Sequence, residues 1–248
     1  MRYIGIGIGK DSERVLASIE DLPDEIEVRG YCLPEACTDH KSPIPVIEDE
    51  KADKLMVEDL MAGRLDAAVR GTLPANSTLR ALKEAAGVPA LERIALLETV
   101  EGKKFLLAPV GVDEGWSVSQ RLELIRKGRA IVSRLGLPSE VGVLSGGRLG
   151  DIGRHPEVDR SLSSGELLSR LGEATHYEIR IEDAIHACGL IIAPDGISGN
   201  LIFRTLTFLG SGKAHGAPVV NISRIFVDTS RASPDYRNAI MLADLLMK

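Results

Sequence analysis

Short apolar runs alternate with longer amphipathic segments from one end of the chain to the other, and this alternation limits the possible folds more than any other feature. An apolar run of about 4–8 residues bounded by turn residues reads as a buried strand. Strands separated by amphipathic helices form a mostly parallel sheet covered by helices. The pattern predicts strands at Tyr3–Ile8, Val28–Leu33, Ala67–Val69, Phe105–Val110, Val141–Leu144, Leu190–Ala193 and Val219–Ile222. The clearest helix is Val118–Leu135, where Val118, Leu122, Leu124, Ile125, Ile131 and Leu135 recur at near-helical spacing. Gln120, Arg121, Lys127 and Arg129 fill its polar face, Gly136 stops it, and Pro138 prevents its continuation. The fold class that follows is α/β.

The chain has 248 residues, 44% of them hydrophobic, enough for one large domain or two modest ones. Its 30 Lys and Arg stand against 36 Asp and Glu, a formal net charge of −6. That balance argues against nucleic acid or an anionic membrane as partner, so any anion site must be local. Apolar runs such as Gly189–Ala193 fall far short of the ~20 residues that span a bilayer. The opening Met1–Lys10 lacks a signal-peptide pattern, and a cytoplasmic location is expected. Cys32, Cys37 and Cys188 are odd in number and form no Cys-x-x-Cys cluster, which predicts free thiols in a reducing compartment. The five histidines show no metal-ligand spacing, so no metal site is expected; a tightly bound cofactor is likewise not expected.

The glycine-rich start, Gly5-Ile6-Gly7-Ile8-Gly9-Lys10-Asp11, fits neither a Walker loop nor the Rossmann spacing, and is read as a strand-to-helix turn. A Gly-x-Ser-x-Gly elbow is absent. Other loops carry more chemistry. After Val143-Leu144, the small residues Ser145, Gly146 and Gly147 lead to Arg148, a sequence that can offer backbone N–H groups and a guanidinium fork to an anion. The same glycines equally suit an ordinary turn that needs positive φ. Asp195 to Asn200, with Gly199, opens a helix after a strand and is a second anion-ready turn. A third is Phe226 to Arg231, where an apolar run ends in Thr229, Ser230 and Arg231 before a helix beginning near Pro234. Arg70, at the end of a predicted strand, is a further ligand candidate, with an ion pair as its alternative. Asp113-Glu114-Gly115 is the candidate crossing between domains.

At Pro194-Asp195, Gly199-Asn200, Gly216-Ala217-Pro218 and Asp228-Thr229-Ser230-Arg231 the chain resembles the phosphate acetyltransferases and phosphate butyryltransferases, from about Val141 to the end. Val69–Ala75, Leu107–Gly115 and Asp195–Asn200 resemble the methanogen branch of that superfamily, the methanogenesis marker proteins or mtx subunit X. The resemblance implies a methanogenic archaeon and two α/β domains with mostly parallel sheets, like isocitrate and isopropylmalate dehydrogenases, with an interdomain cleft. It also implies a first domain from residues 1–112 and 218–248, a second from 113–217, and a homodimer. The implied ligand is a phosphorylated small molecule, with coenzyme A as substrate. The family's roles place Ser230 at the tetrahedral intermediate, Arg231 on phosphate or coenzyme A, and an aspartate near the thiol. Asp235 is the neighbouring aspartate here, although an ungapped reading puts the family position nearer Arg237, and Ala232 stands where the family has glycine. The function this implies is acyl transfer between acyl phosphate and coenzyme A. The alternatives are a methyltransferase subunit of methanogen one-carbon metabolism and a non-catalytic ligand-sensing or assembly factor.

Overall fold

The structure, a computed structural model, describes residues 1–37, 42–230, 233 and 235–248. In chain order the elements are β1 (Arg2–Ile8), α1 (Ser12–Ala17), β2 (Ile26–Cys32), β3 (Val46–Glu48), α2 (Ala52–Met61), β4 (Ala67–Val69) and α3 (Ala75–Ala86). There follow β5 (Ala95–Glu98), β6 (Lys104–Ala108), α4 (Val118–Leu135), β7 (Val141–Leu144), α5 (Pro156–Leu171), β8 (Thr175–Glu178), α6 (Ile181–Ala187), β9 (Leu190–Ile192) and α7 (Gly196–Phe208). The chain closes with β10 (Lys213–Pro218), β11 (Ile225–Asp228) and α8 (Arg237–Met247). It divides into two compact units, one of Met1–Leu91 with His215–Lys248, the other of Glu92–Ala214.

In the first unit the strands run in the order β3-β2-β1-β4-β11, all parallel, with Ala217 and Pro218 of β10 pairing antiparallel to β11. Ile4, Ile6 and Ile8 of β1 are buried, each worth about 1.5–3 kcal/mol over exposure. Gly7 faces the other way, where a Cβ would stand 2.4 Å from the Arg70 carbonyl oxygen. The glycines of β1 therefore serve close strand packing, and Thr72 Oγ1 accepts from the N–H groups of Gly9 and Lys10. Helix α8 buries Ala239, Ile240, Leu242 and Ala243 and packs on β4 and β11.

In the second unit β6, β9, β7 and β8 are parallel in that order, with β5 antiparallel on the β6 edge. Helix α4 spans the predicted residues. The Ser117 hydroxyl accepts from the Gln120 N–H, Gln120 Oε1 accepts from the Ser117 N–H, and Gly136 ends the helix at φ 62°. Gly128 lets α4 sit on β9, since a Cβ there would stand 2.6 Å from the Leu190 side chain.

The structure corrects several sequence expectations. Arg121, placed on the polar face of α4, is 4% exposed. Val219–Ile222 is not a strand. Pairing runs from β10 only one residue further, to a bridge at Val219 whose N–H donates to the Phe226 carbonyl, and the next strand is β11. The last helix starts at Arg237, and Pro234 lies outside the described residues. Cys32 and Cys37, expected as free thiols, form a disulfide, and Cys188 alone is free. A short turn over Pro34–Ala36 brings the two Cα atoms to 6.0 Å, a local return that cysteine counting does not register. Among the described residues no helix is long and apolar enough to cross a membrane.

Candidate functional site

The sequence-predicted residues fall into two groups at the carboxyl ends of strands, one group in each unit. Ligands of open α/β sheets bind at such ends.

In the second unit, β7 delivers Ser145 as a 2% exposed residue. Its N–H donates to the Glu178 carbonyl at 2.7 Å and its hydroxyl to the Gly147 carbonyl at 3.2 Å. His176 Nε2 lies 2.9 Å from that hydroxyl, and Nδ1 lies 3.4 Å from Glu166 Oε1. The Gly146 N–H donates to Ser161 Oγ at 2.8 Å, and the Arg148 N–H to Asp151 Oδ2 at 2.9 Å. That N–H and the Arg154 guanidinium hold the Asp151 carboxyl below its usual range. Three of the loop's N–H groups are thus taken, and that of Gly147 has no acceptor among the described residues. The Arg148 side chain is exposed and forms no ion pair among them.

The neighbouring turn after β9 is tied inward. Asp195 Oδ1 accepts from the Ser198 N–H at 2.8 Å and caps α7, and the Gly196 N–H donates to the Glu114 carbonyl. Gly199 lies against residue 109, where a Cβ would stand 1.9 Å from the Pro109 carbonyl oxygen. Asn200 Nδ2 donates to the Val110 carbonyl at 2.9 Å. Gly199 and Asn200 therefore clamp α7 onto the loop after β6. In that loop Glu114 is 2% exposed and accepts from Arg93 Nε at 2.7 Å. Burial pushes its carboxyl up, and Arg93 opposes the shift.

In the first unit, Arg70 and Ser230 follow the adjacent strands β4 and β11. The Arg70 guanidinium is spent on protein partners: Asp228 Oδ1, the Leu73 carbonyl at 2.7 Å and the Thr229 carbonyl. Ser230 is half-buried, and its carbonyl accepts from the Tyr236 hydroxyl at 3.3 Å. Asp235 is exposed and its Oδ1 accepts from the Arg237 N–H. The Arg237 side chain binds the Glu20 and Asp21 carbonyls. Arg231 lies outside the described residues. A hollow of about 670 Å³ in this unit, lined by Gly9–Arg14, Glu35 and Ala36, sets Asp11, Glu13 and Glu35 against Lys10 and Arg14, an unfavourable balance for a phosphate.

Sequence reasoning missed His176, Ser161 and Arg121. His176 is 31 residues from Ser145, and no local motif joins them.

No family model matches the chain. It is 49% identical over 208 residues to a Methanosarcina barkeri protein named "Putative methyltransferase mtx subunit X", covering 82% of this chain and 77% of the relative. A Methanopyrus kandleri protein, also named a methyltransferase, is 38% identical over 256 residues, covering 97% of each. In fold the chain is similar to a branched-chain phosphotransacylase from Enterococcus faecalis, with a TM-score of 0.75 and 16% identity over 100% of this chain and 99% of that one. A 4-hydroxythreonine-4-phosphate dehydrogenase from Klebsiella pneumoniae, 12% identical, has a TM-score of 0.62 over 100% of both chains. The two-domain α/β architecture with mostly parallel sheets is shared with these enzymes.

Proposed function

Because the chain belongs to the methanogen family that bears the mtx subunit X name, we propose that it binds a phosphorylated ligand and transfers an acyl group between acyl phosphate and coenzyme A. The observation that supports the ligand class is the loop after β7, where the exposed Arg148 side chain forms no ion pair and the Gly147 N–H has no acceptor among the described residues, with only the Asp151 carboxylate acting on Arg148 at a distance. A guanidinium fork beside a backbone N–H suits a phosphate oxygen. The phosphotransacylase fold supports the reaction class.

In the reaction, the thiolate of coenzyme A attacks the acyl carbon. The carbon–sulfur bond forms, the carbon–oxygen bond to phosphate breaks, and phosphate leaves with the electron pair. This chemistry requires a donor for the transient oxyanion and a cation for the departing phosphate, the roles the family resemblance assigns to Ser230 and Arg231. Asp235, five residues after Ser230, is the carboxylate this reading assigns to the thiol proton, since the nearer Asp228 is paired with Arg70. Coenzyme A acts as substrate in this reading. The test is coenzyme A-dependent turnover of several acyl phosphates by wild type, Ser230→Ala and Arg231→Ala. Loss of an oxyanion donor lowers the rate ~100–1000-fold. Absence of turnover with every acyl phosphate overturns acyl transfer.

The relatives' printed names support a second reading, a methyltransferase subunit. Copurification with a corrinoid protein or a methyltransferase would decide for it. Ligand binding with no turnover and no such partner would point to a sensing or assembly role. A homodimer is part of the proposal, and the exposed Ile197, Leu201 and Phe208 along α7 give it an apolar surface. Sedimentation at micromolar concentration tests it.

A further inference from the structure

We propose that Arg121 is the buried cation of an oxyanion subsite inside the second unit, where α4, α5 and α7 follow the adjacent strands β6, β7 and β9. The ligand class is a small molecule's terminal phosphate or, failing that, another oxyanion. The proposal deepens the phosphorylated-ligand reading and rests on it for the choice of phosphate.

Arg121 is 4% exposed, yet it forms no ion pair among the described residues. Its one hydrogen bond is from Nη2 to the Ser164 hydroxyl of α5, and its Nε is buried with no acceptor. A buried guanidinium with no ion pair and a single neutral hydroxyl as its hydrogen-bond partner is costly. The setting adds to the cost. Arg121 sits in the first turns of α4, where the helix dipole already disfavours a cation. Arg160, beside it in charge terms, repels it further, and Asp195 at the head of α7 is the opposing charge. Burial is the largest influence and weakens the guanidinium's hold on its proton.

These groups share one face of the unit. Ser161 and Ser164 are three residues apart on α5, so they project from the same side of the helix. Ser161 holds the Gly146 N–H and Ser164 holds Arg121. The subsite therefore adjoins the loop carrying Gly147 and Arg148. An oxyanion there would supply the ion-pair partner that Arg121 lacks.

The experiment is thermal melting of the full chain in increasing inorganic phosphate, with sulfate and acetate as parallel probes, for wild type, Arg121→Met, Arg121→Lys and Arg148→Ala. A ligand at about 100 times its Kd raises the melting temperature of a protein this size by about 5–10 °C. Wild type is expected to show that rise. Arg121→Met is expected to melt no lower than wild type without phosphate, because it removes a buried charge that has no ion-pair partner, and to gain nothing from phosphate. Should Arg121→Met not fold, Arg121→Lys decides, with an apparent Kd for phosphate raised roughly tenfold as the fork is lost. Arg121-dependent stabilisation by acetate but not phosphate would uphold the subsite and refute the phosphate reading. Equal phosphate stabilisation of wild type and both Arg121 variants would overturn the inference while leaving that reading to Arg148. No response of wild type to any oxyanion would overturn both.

Discussion

The Nε2 of His176 lies 2.9 Å from the hydroxyl oxygen of Ser145. That hydroxyl donates to the Gly147 carbonyl, so it accepts from His176, and the strand-end loop is held from below by a side chain of β8. The half-buried Glu166 sits on the far side of the imidazole.

His176→Ala removes this buried donor, with an expected loss of about 1–3 kcal/mol in urea unfolding. The Ser145 and Gly146 amides, bonded to Glu178 and Ser161, should exchange faster in the variant. Glu166→Gln, at a carboxylate 43% exposed, should change neither amide. Unaltered exchange in His176→Ala would show that the loop needs no support from below.

Glu114 gives a pH dependence. Burial raises its carboxyl above the ordinary 4.5, and Arg93 pulls it back in part. A raised value means that the fold favours the protonated form. Its contribution to stability is complete below 4.5 and is lost as pH rises through the folded value. Stability of wild type relative to Glu114→Gln should therefore fall as pH rises from about 4. Denaturant curves at several pH values check this, and a constant difference contradicts it.

Asp228→Ala strands the Arg70 guanidinium, which is buried between β4 and β11. The expected cost is about 3–5 kcal/mol, read as a lower urea midpoint with little change in slope. A cost below about 1 kcal/mol would mean that the carbonyls of Leu73 and Thr229 suffice for Arg70.

Gly199→Ala drives a methyl group to within 1.9 Å of the Pro109 carbonyl oxygen and forces α7 off the loop after β6. Destabilisation of roughly 1–3 kcal/mol or more is expected. Gly150→Ala, where nothing lies within 4 Å, is the control. Equal melting temperatures for the two variants would refute the clamp.

The sequence by itself determined the α/β class, most buried strands and the full span of α4, because apolar periodicity, the Ser117 cap and Gly136 are local and act without the rest of the chain. It also marked the loops after β7, β9 and β11, because small residues ending an apolar run are visible in one dimension. Tertiary structure alone decided what those loops do with their polar groups. Asn200 and Gly199 look ligand-ready in sequence, and their partners, Val110 and Pro109, come from another strand's loop. Arg121 reads as solvent-facing by helical position, and its burial depends on α5 packing over it. The Ser145–His176 contact joins two strands, β7 and β8, whose pairing no local propensity encodes. The difference is physical: hydrophobic period and capping are set by neighbours in sequence, whereas desolvation and hydrogen-bond partnership are set by neighbours in space.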